Sequence, residues 1–466
     1  MKKILVLALA LFAFVVPSAA ARPGALDSSF GREGKVAWPL NLGATWKRAA
    51  TAVAKFSDGG AIALVGDNLI ALNRDGTPRR RFLRFGLTHG PLFLGAQSMV
   101  DVTVDRRDRV LVLGTVTSAT DPARQGGLAD ESIFLTRYLE NGYPDPSFGR
   151  RGSLITDLGL RPPTIDDPGS HTLEAPALTR AGALALDARG RIVLSGVTVK
   201  REGACSVPNR SDFTSDYEYR DGIIARLRMD GGLDASFGQG GLITIPESLS
   251  VEDLLVSRSG DAFAMRAPAS ECRSSSAVER VVKVTAGGLL KKRLGDDREF
   301  FEADRTSLAV DRRGRALVLW RGSQIAEPGR GLEFLHAGRL RRLLPSGRQD
   351  RGFGQNGTVT LVFGKRGFNP SQVLVDRGGR IYVAGTPPAS REAPGSFLVC
   401  RLDPDGHVDR RFGRGGWARA DWGRNVVVGN PSATLVGGGR LLLAGPMSNP
   451  RLRYDTGAGF ARFLIR

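Results

Sequence analysis

The chain has 466 residues and carries 66 Lys plus Arg against 47 Asp plus Glu, a formal net charge of +19 in which nearly all the cations are arginine. Its three cysteines and four histidines fall at unrelated spacings, which excludes a zinc ribbon or finger. Beyond residue 21 no apolar run approaches the length of a membrane helix, so no integral membrane segment is expected in the mature chain.

Residues 1–21 read as a secretory signal. Lys2 and Lys3 precede an apolar run from Ile4 to Val16, and Pro17-Ser-Ala-Ala-Ala21 supplies small residues for cleavage. The mature protein is therefore expected to be secreted or held in the cell envelope, where disulfides are allowed. Residues 22–466 are expected to form a single domain.

The pattern Asp-x-x-Phe-Gly-x-x-Gly then organises the chain. It occurs at Asp27–Gly34, Asp145–Gly152, Asp234–Gly241, Asp350–Gly357 and Asp409–Gly416, placing Phe30, Phe148, Phe237, Phe353 and Phe412 at spacings of 118, 89, 116 and 59 residues. Decayed copies fill the two longest gaps, at Phe82 and at Leu294-Gly295, which makes seven units. A period of about 50–60 residues signals a propeller or a solenoid.

The predicted strands follow in order, each rich in β-branched or aromatic residues and bounded by Gly, Asp or Pro. They are 35–38; 51–56, 61–65 and 70–73; 100–105, 110–114 and 133–138; 183–187, 192–196 and 223–227; 253–257, 262–265 and 281–284. Then come 308–311, 316–319 and 339–343; 358–363, 371–376, 380–385 and 397–402; and 433–436, 441–444 and 461–465. No mature segment sustains a 3.6-residue apolar period. The expected fold is all-β, a seven-bladed β-propeller of four-stranded antiparallel blades. The chain ends without the outer strand its last unit needs and begins with one, so strand 35–38 is expected to close the ring.

The signature residues suit structural work. The phenylalanine is a buried spacer between blades, and the aspartate caps nearby backbone amides as in an Asx turn. Other features offer function. Cys205 and Cys272 occupy equivalent connections in adjacent blades and are expected to form a disulfide, while Cys400 reads as a small buried hydrophobe. The long connection 198–221 places Asp212, Asp216, Tyr217, Glu218, Tyr219 and Asp221 together, a candidate binding loop for a sugar, peptide or calcium ion. Arg106, Arg107, Arg312, Arg313, Arg410 and Arg411 fall in the two turn classes that emerge on one side of a blade, which predicts a basic face.

Catalytic patterns are missing: there is no G-x-S-x-G elbow, no H-E-x-x-H pair and no Walker loop. No catalytic centre, metal or cofactor is expected, and the chain is expected to act as a monomer. The leading reading is an extracellular or cell-envelope interaction scaffold for an anionic polymer, a glycan or a protein. The alternative is a propeller hydrolase or lyase acting on such glycans, its site assembled across blades. Nucleic acid would meet only a generic charge attraction and is not expected as the natural ligand.

The recurring elements Pro144-Asp145–Gly152, Leu233-Asp234–Gly241 and Val408-Asp409–Gly416 combine with Arg191-Ile192–Gly196, Arg380-Ile381–Gly385 and the strands bearing Arg137, Arg226 and Arg401. Together they resemble the delta-sixty repeat family of bacterial propeller-like proteins, over essentially the whole mature chain. The resemblance implies an exported repeat scaffold and supplies no catalytic residue.

Overall fold

A computed structural model describes residues 22–42, 51–82, 87–89, 96–117, 131–158, 179–205, 215–246, 248–268, 280–294, 306–325, 334–365, 367–388, 395–449, 451 and 455–466. The segment expected to be a secretory signal, residues 1–21, lies outside them. The first strand is β1 (Lys35–Pro39). Blade 1 follows as β2 (Thr51–Lys55), β3 (Ala61–Val65), β4 (Asn68–Leu72) and β5 (Leu87–His89). Blade 2 is β6 (Ala96–Val104), β7 (Val110–Thr117), β8 (Glu131–Tyr138) and β9 (Ser153–Thr156). Blade 3 is β10 (Thr179–Leu186), β11 (Ile192–Cys205), β12 (Ser215–Leu227) and β13 (Leu242–Ile245).

Blade 4 contains β14 (Ser248–Val256), β15 (Ala262–Pro268), β16 (Arg280–Val284) and β17 (Leu290–Leu294). Blade 5 contains β18 (Thr306–Val310), β19 (Ala316–Ile325), β20 (Phe334–Leu343) and β21 (Thr358–Leu361). Blade 6 contains β22 (Asn369–Val375), β23 (Ile381–Thr386), β24 (Ser396–Leu402) and β25 (Trp417–Asp421). Blade 7 is built from β26 (Val427–Val428), β27 (Ser432–Val436), β28 (Arg440–Ser448) and β29 (Thr456–Leu464), and β1 completes it. Every strand ladder is antiparallel, and no helix occurs, among the described residues.

The first long strands of successive blades touch around the whole ring, from β2 through β6, β10, β14, β18, β22 and β27 back to β2. Closure is made as the two chain ends imply. β1 pairs with β29 in the register Lys35 to Ala461 and Pro39 to Gly457. The radial arrangement abolishes long open sheet edges, which is why no polar capping unit is needed.

The core is seven apolar layers, each shared by two neighbouring blades. Phe148 lies with Leu113 of blade 2 against Ile192 and Ile223 of blade 3, and Phe30 joins Phe460 of blade 7 to Ile70 of blade 1. All five signature phenylalanines are at most 2% exposed. Phe148→Ala or Phe353→Ala should therefore cost about 3–5 kcal/mol, the range for emptying a packed aromatic site. Urea unfolding of each variant measures it, and losses under about 1 kcal/mol would contradict the spacer role.

Two expectations are corrected. The described ends of the connection 198–221 are ladder and not loop: β11 and β12 run on as paired strands, Thr198 with Asp221, Lys200 with Tyr219, Arg201 with Glu218 and Cys205 with Ser215, while residues 206–214 lie outside the described residues. Its β-branched and aromatic residues favour the extended ladder. The decayed copy at Leu294 is not a signature turn either. Residues 290–294 are themselves the outer strand β17, with Leu294 opposite Val281. Lys291 stands at the aspartate position there, so no carboxylate remains to nucleate the turn.

Candidate functional site

Each intact signature turn is a lock between blades. One aspartate oxygen caps the amide two residues on: Asp145 Oδ1 accepts from Ser147 N–H at 3.0 Å, and Asp234 Oδ1 from Ser236 N–H at 3.1 Å. The other oxygen accepts from a buried arginine eight residues earlier on the preceding strand. Arg137 Nε donates to Asp145 Oδ2 at 2.8 Å, Arg226 Nε to Asp234 at 2.8 Å and Arg342 Nε to Asp350 at 2.8 Å. Arg401 Nη2 reaches Asp409 at 2.8 Å.

The same guanidinium lies over its signature ring, 4.6 Å from Phe148, 4.5 Å from Phe237, 4.4 Å from Phe353 and 4.7 Å from Phe412. It then reaches into the next blade. Arg226 Nη1 donates to Ala286 O at 2.5 Å, Arg401 Nη1 to Ile465 O at 3.0 Å, and Arg137 Nη1 to Met229 O. A glycine of that next turn lies against the ring: a Cβ on Gly406 would lie 2.7 Å from Phe353 Cε2, so only glycine fits.

A second arginine, at the start of the second strand of several blades, extends the chain of charges. Arg109 bridges Asp105 (2.7 Å) and Asp145 (3.3 Å), Arg191 bridges Asp187 (2.7 Å) and Asp234 (3.0 Å), and Arg315 bridges Asp311 (2.7 Å) and Asp350 (3.6 Å). The Ser236 hydroxyl, then its amide and Arg226, overcome burial and hold the Asp234 carboxyl down at about 2. For Asp145 burial opposes ionisation, but Ser147 and Arg137 outweigh it and leave the carboxyl below its ordinary value.

Where the sequence departs, the charges change together. In blade 1 Ala71 and Arg79 stand where blade 2 has Arg137 and Asp145, as the matching Arg79 N–H to Ala71 O and Asp145 N–H to Arg137 O bonds show. Arg79 instead pairs with Asp58 at 2.6 Å and lies 4.2 Å over Phe56. In blade 4 Lys283 takes the arginine position and pairs with Asp261 at 2.8 Å. This paired arginine architecture was missed from sequence, although the recurrence of Arg137, Arg226 and Arg401 was its signal.

Because the Arg109, Arg191 and Arg315 bridges join the turn after the first strand to the turn after the third, both turn classes lie on one face. Arg106, Arg107, Arg312, Arg313, Arg410 and Arg411 sit in these turns, all exposed. The acids beside them are already engaged, Asp105 by Arg109, Asp311 by Arg315 and Asp409 by Arg401. Lys291 and Arg293 belong to β17 and not to a turn.

The other sequence candidates lie elsewhere in the chain. Asp216, Tyr217, Glu218, Tyr219 and Asp221 lie along β12, and Asp212 is outside the described residues. Cys205 ends β11, Cys272 is outside the described residues, and so is the expected disulfide. Cys400 is a free, buried cysteine within β24, and burial pushes its thiol up. No group of three or more His, Cys, Asp or Glu suited to a metal occurs among the described residues.

Near the axis, Asp101 is a perturbed carboxyl. Burial, with the charge of Asp253 adding to it, pushes it up to about 7. Its oxygens nevertheless accept from the amides of Leu184 and Val102, both at 2.8 Å. In later blades Asp253, Ser307 and Gln372 likewise accept a first-strand amide of the next blade, from Leu308, Val373 and Ala433. Serine and glutamine perform the same bond, so the position serves ring closure and does not require an acid.

No protein-family profile and no curated protein matches this chain. Solved structures with some likeness include a protein of unknown function from Dyadobacter fermentans, at 13% identity and TM-score 0.37, covering 80% of this chain and 97% of that one. A gluconolactonase from Xanthomonas campestris superposes at 12% identity and TM-score 0.34, covering 96% and 99%. The NanB sialidase from Streptococcus pneumoniae does so at 9% identity and TM-score 0.43, covering 88% and 82%. Likeness at this level assigns no residue role.

Proposed function

We propose that this chain is an exported propeller scaffold of the delta-sixty repeat kind that binds anionic polymers of the envelope or extracellular space through its basic face. One observation supports it above the rest: the neighbouring acids Asp105, Asp311 and Asp409 are engaged by Arg109, Arg315 and Arg401, while Arg106, Arg107, Arg312, Arg313, Arg410 and Arg411 stay exposed. Six cations fixed on a rigid disc act together on a multivalent partner, each contributing little alone. The competing reading, a glycan hydrolase or lyase, needs carboxylates free to meet a sugar. Asp101, the perturbed acid, is instead bonded to backbone amides.

Titration of residues 22–466 against an anionic polysaccharide tests the proposal. Affinity should fall steeply with salt as the screening length shortens to about 8 Å near physiological ionic strength. A variant with the six arginines changed to glutamine should bind much more weakly at low salt. Equal affinity for both proteins, or affinity indifferent to salt, would return these arginines to a solubility role.

A further inference from the structure

The basic face is not uniform. Between blades 2 and 3 it opens into a groove of about 580 Å³, within the size range of small-ligand sites. Val104, Leu186 and Met229 contribute an apolar, half-buried lining, unusual among charged turns. The exposed Arg106, Arg107 and Arg189 also line it.

Charge accounting separates the arginines that could meet a ligand from those that hold the fold. Arg109 and Arg137 are engaged by Asp105 and Asp145, and Asp187 by Arg191. Asp230 lies 3.4 Å from Arg228, and the Gly232 amide lowers its carboxyl first. Arg106, Arg107 and Arg189 are left as the unneutralised cations of the groove. Arg106 is also held in place, since its Nη2 donates to Ala188 O of blade 3 at 2.8 Å and so ties the two walls together. A site with fixed walls loses little freedom on binding.

Apolar surface beside exposed guanidinium groups suits a ring with one hydrocarbon face and an anionic substituent. We propose that this groove is a subsite for one acidic sugar residue of an anionic polysaccharide, an inference that rests on the basic-face reading and gives it a location. The arginines would take the carboxylate or sulfate through charge-assisted, planar hydrogen bonds. Met229 and Leu186 would lie against the sugar's C–H face. The other exposed arginines, around Arg312 and Arg410, would add avidity along a longer chain without setting which unit is held.

Calorimetric titration of residues 22–466 with tetragalacturonate at low salt tests this, with maltotetraose as the neutral sugar and inorganic sulfate as the bare anion. Wild type should prefer tetragalacturonate to both. Arg107→Gln with Arg189→Gln leaves the Arg106 bond intact and should weaken tetragalacturonate about tenfold or more, the equivalent of one hydrogen bond to a charged group. Met229→Ser should weaken tetragalacturonate but not sulfate. Changing Arg312, Arg313, Arg410 and Arg411 to glutamine should lower affinity for long polygalacturonate while changing the tetramer's by less than about threefold, since those charges act through screened, long-range attraction. Arg189→Gln alone provides a milder variant, and melting curves confirm that each protein is folded. Equal tetramer losses from the two arginine sets would overturn the subsite and leave the basic-face reading standing. So would sulfate binding as tightly as the tetramer, or long polymer binding without any tetramer binding. Failure of wild type to bind long polymer at all would remove both.

Discussion

Deleting residues 22–39 should abolish the cooperative melting transition expected of residues 22–466, an effect far beyond ordinary terminal trimming. The deletion removes β1, which covers β29 from Lys35–Ala461 to Pro39–Gly457. It removes Phe30, 2% exposed, together with the contact to the Arg462 guanidinium 4.6 Å above its ring. It also strips Asp27 from two arginines, Arg462 at 2.9 Å and Arg440 at 2.5 Å. Arg462, itself 2% exposed, would lose its carboxylate and the ring that covers it together. Loss of one core phenylalanine alone costs about 3–5 kcal/mol, and the uncovered edge of β29 and the broken pairs of Arg462 and Arg440 add to it. Against a typical domain stability of about 5–15 kcal/mol, the sum leaves little. The segment also closes onto blade 6, where Gly413 N–H donates to Pro23 O at 2.8 Å, so the damage spreads to two blades. Thermal and urea unfolding of residues 40–466 measure the effect, and a melting profile like that of residues 22–466 would show that closure is not made this way.

The second large effect is expected at Arg137, where removal of one side chain breaks four interactions at once. Arg137→Ala loses the 2.8 Å bond to Asp145, the 3.0 Å bond to Ser147, the reach to Met229 O and the cover over Phe148. It leaves Asp145, 3% exposed, with the longer 3.3 Å contact to Arg109. Breaking a buried pair from one side costs about 3–5 kcal/mol. Asp145→Asn in the Arg137→Ala background should recover part of that loss, giving a coupling of about 0.5–3 kcal/mol in a double-mutant cycle.

The effect has a defined pH sign. The Asp145 carboxyl sits below its ordinary value in the folded protein. Its ion pair therefore stabilises the fold above the unfolded carboxylate pKa, about 4, and that contribution is lost as pH falls further. The gap between wild type and Arg137→Ala should narrow below about pH 4. Urea midpoints at pH 7 and pH 3 check it, and a gap that widens in acid would rule out the ionised pair as its source.

The number of blades, their order and the way the ring closes are all legible in the sequence. Each depends on local chemistry that repeats: Asp, Phe and Gly nucleate a turn, short β-branched runs make strands, and an unpaired terminal strand must find its edge. Phe30, Phe148, Phe237, Phe353 and Phe412 could be read as buried because their surroundings repeat with them. Three things required the tertiary structure. Asp145 and Arg137 are near in sequence, but Arg137 meets Met229 of the next blade only once the blades stack. The extent of β11 and β12 depends on cross-strand pairing, as between Lys200 and Tyr219, which no single strand's composition specifies. The groove between blades 2 and 3 joins Arg106 to Ala188 across 82 positions. Its free charge emerges only when the partners of Arg109, Arg137 and Asp187 are known, because a sequence counts charges whereas a fold decides which of them neutralise each other.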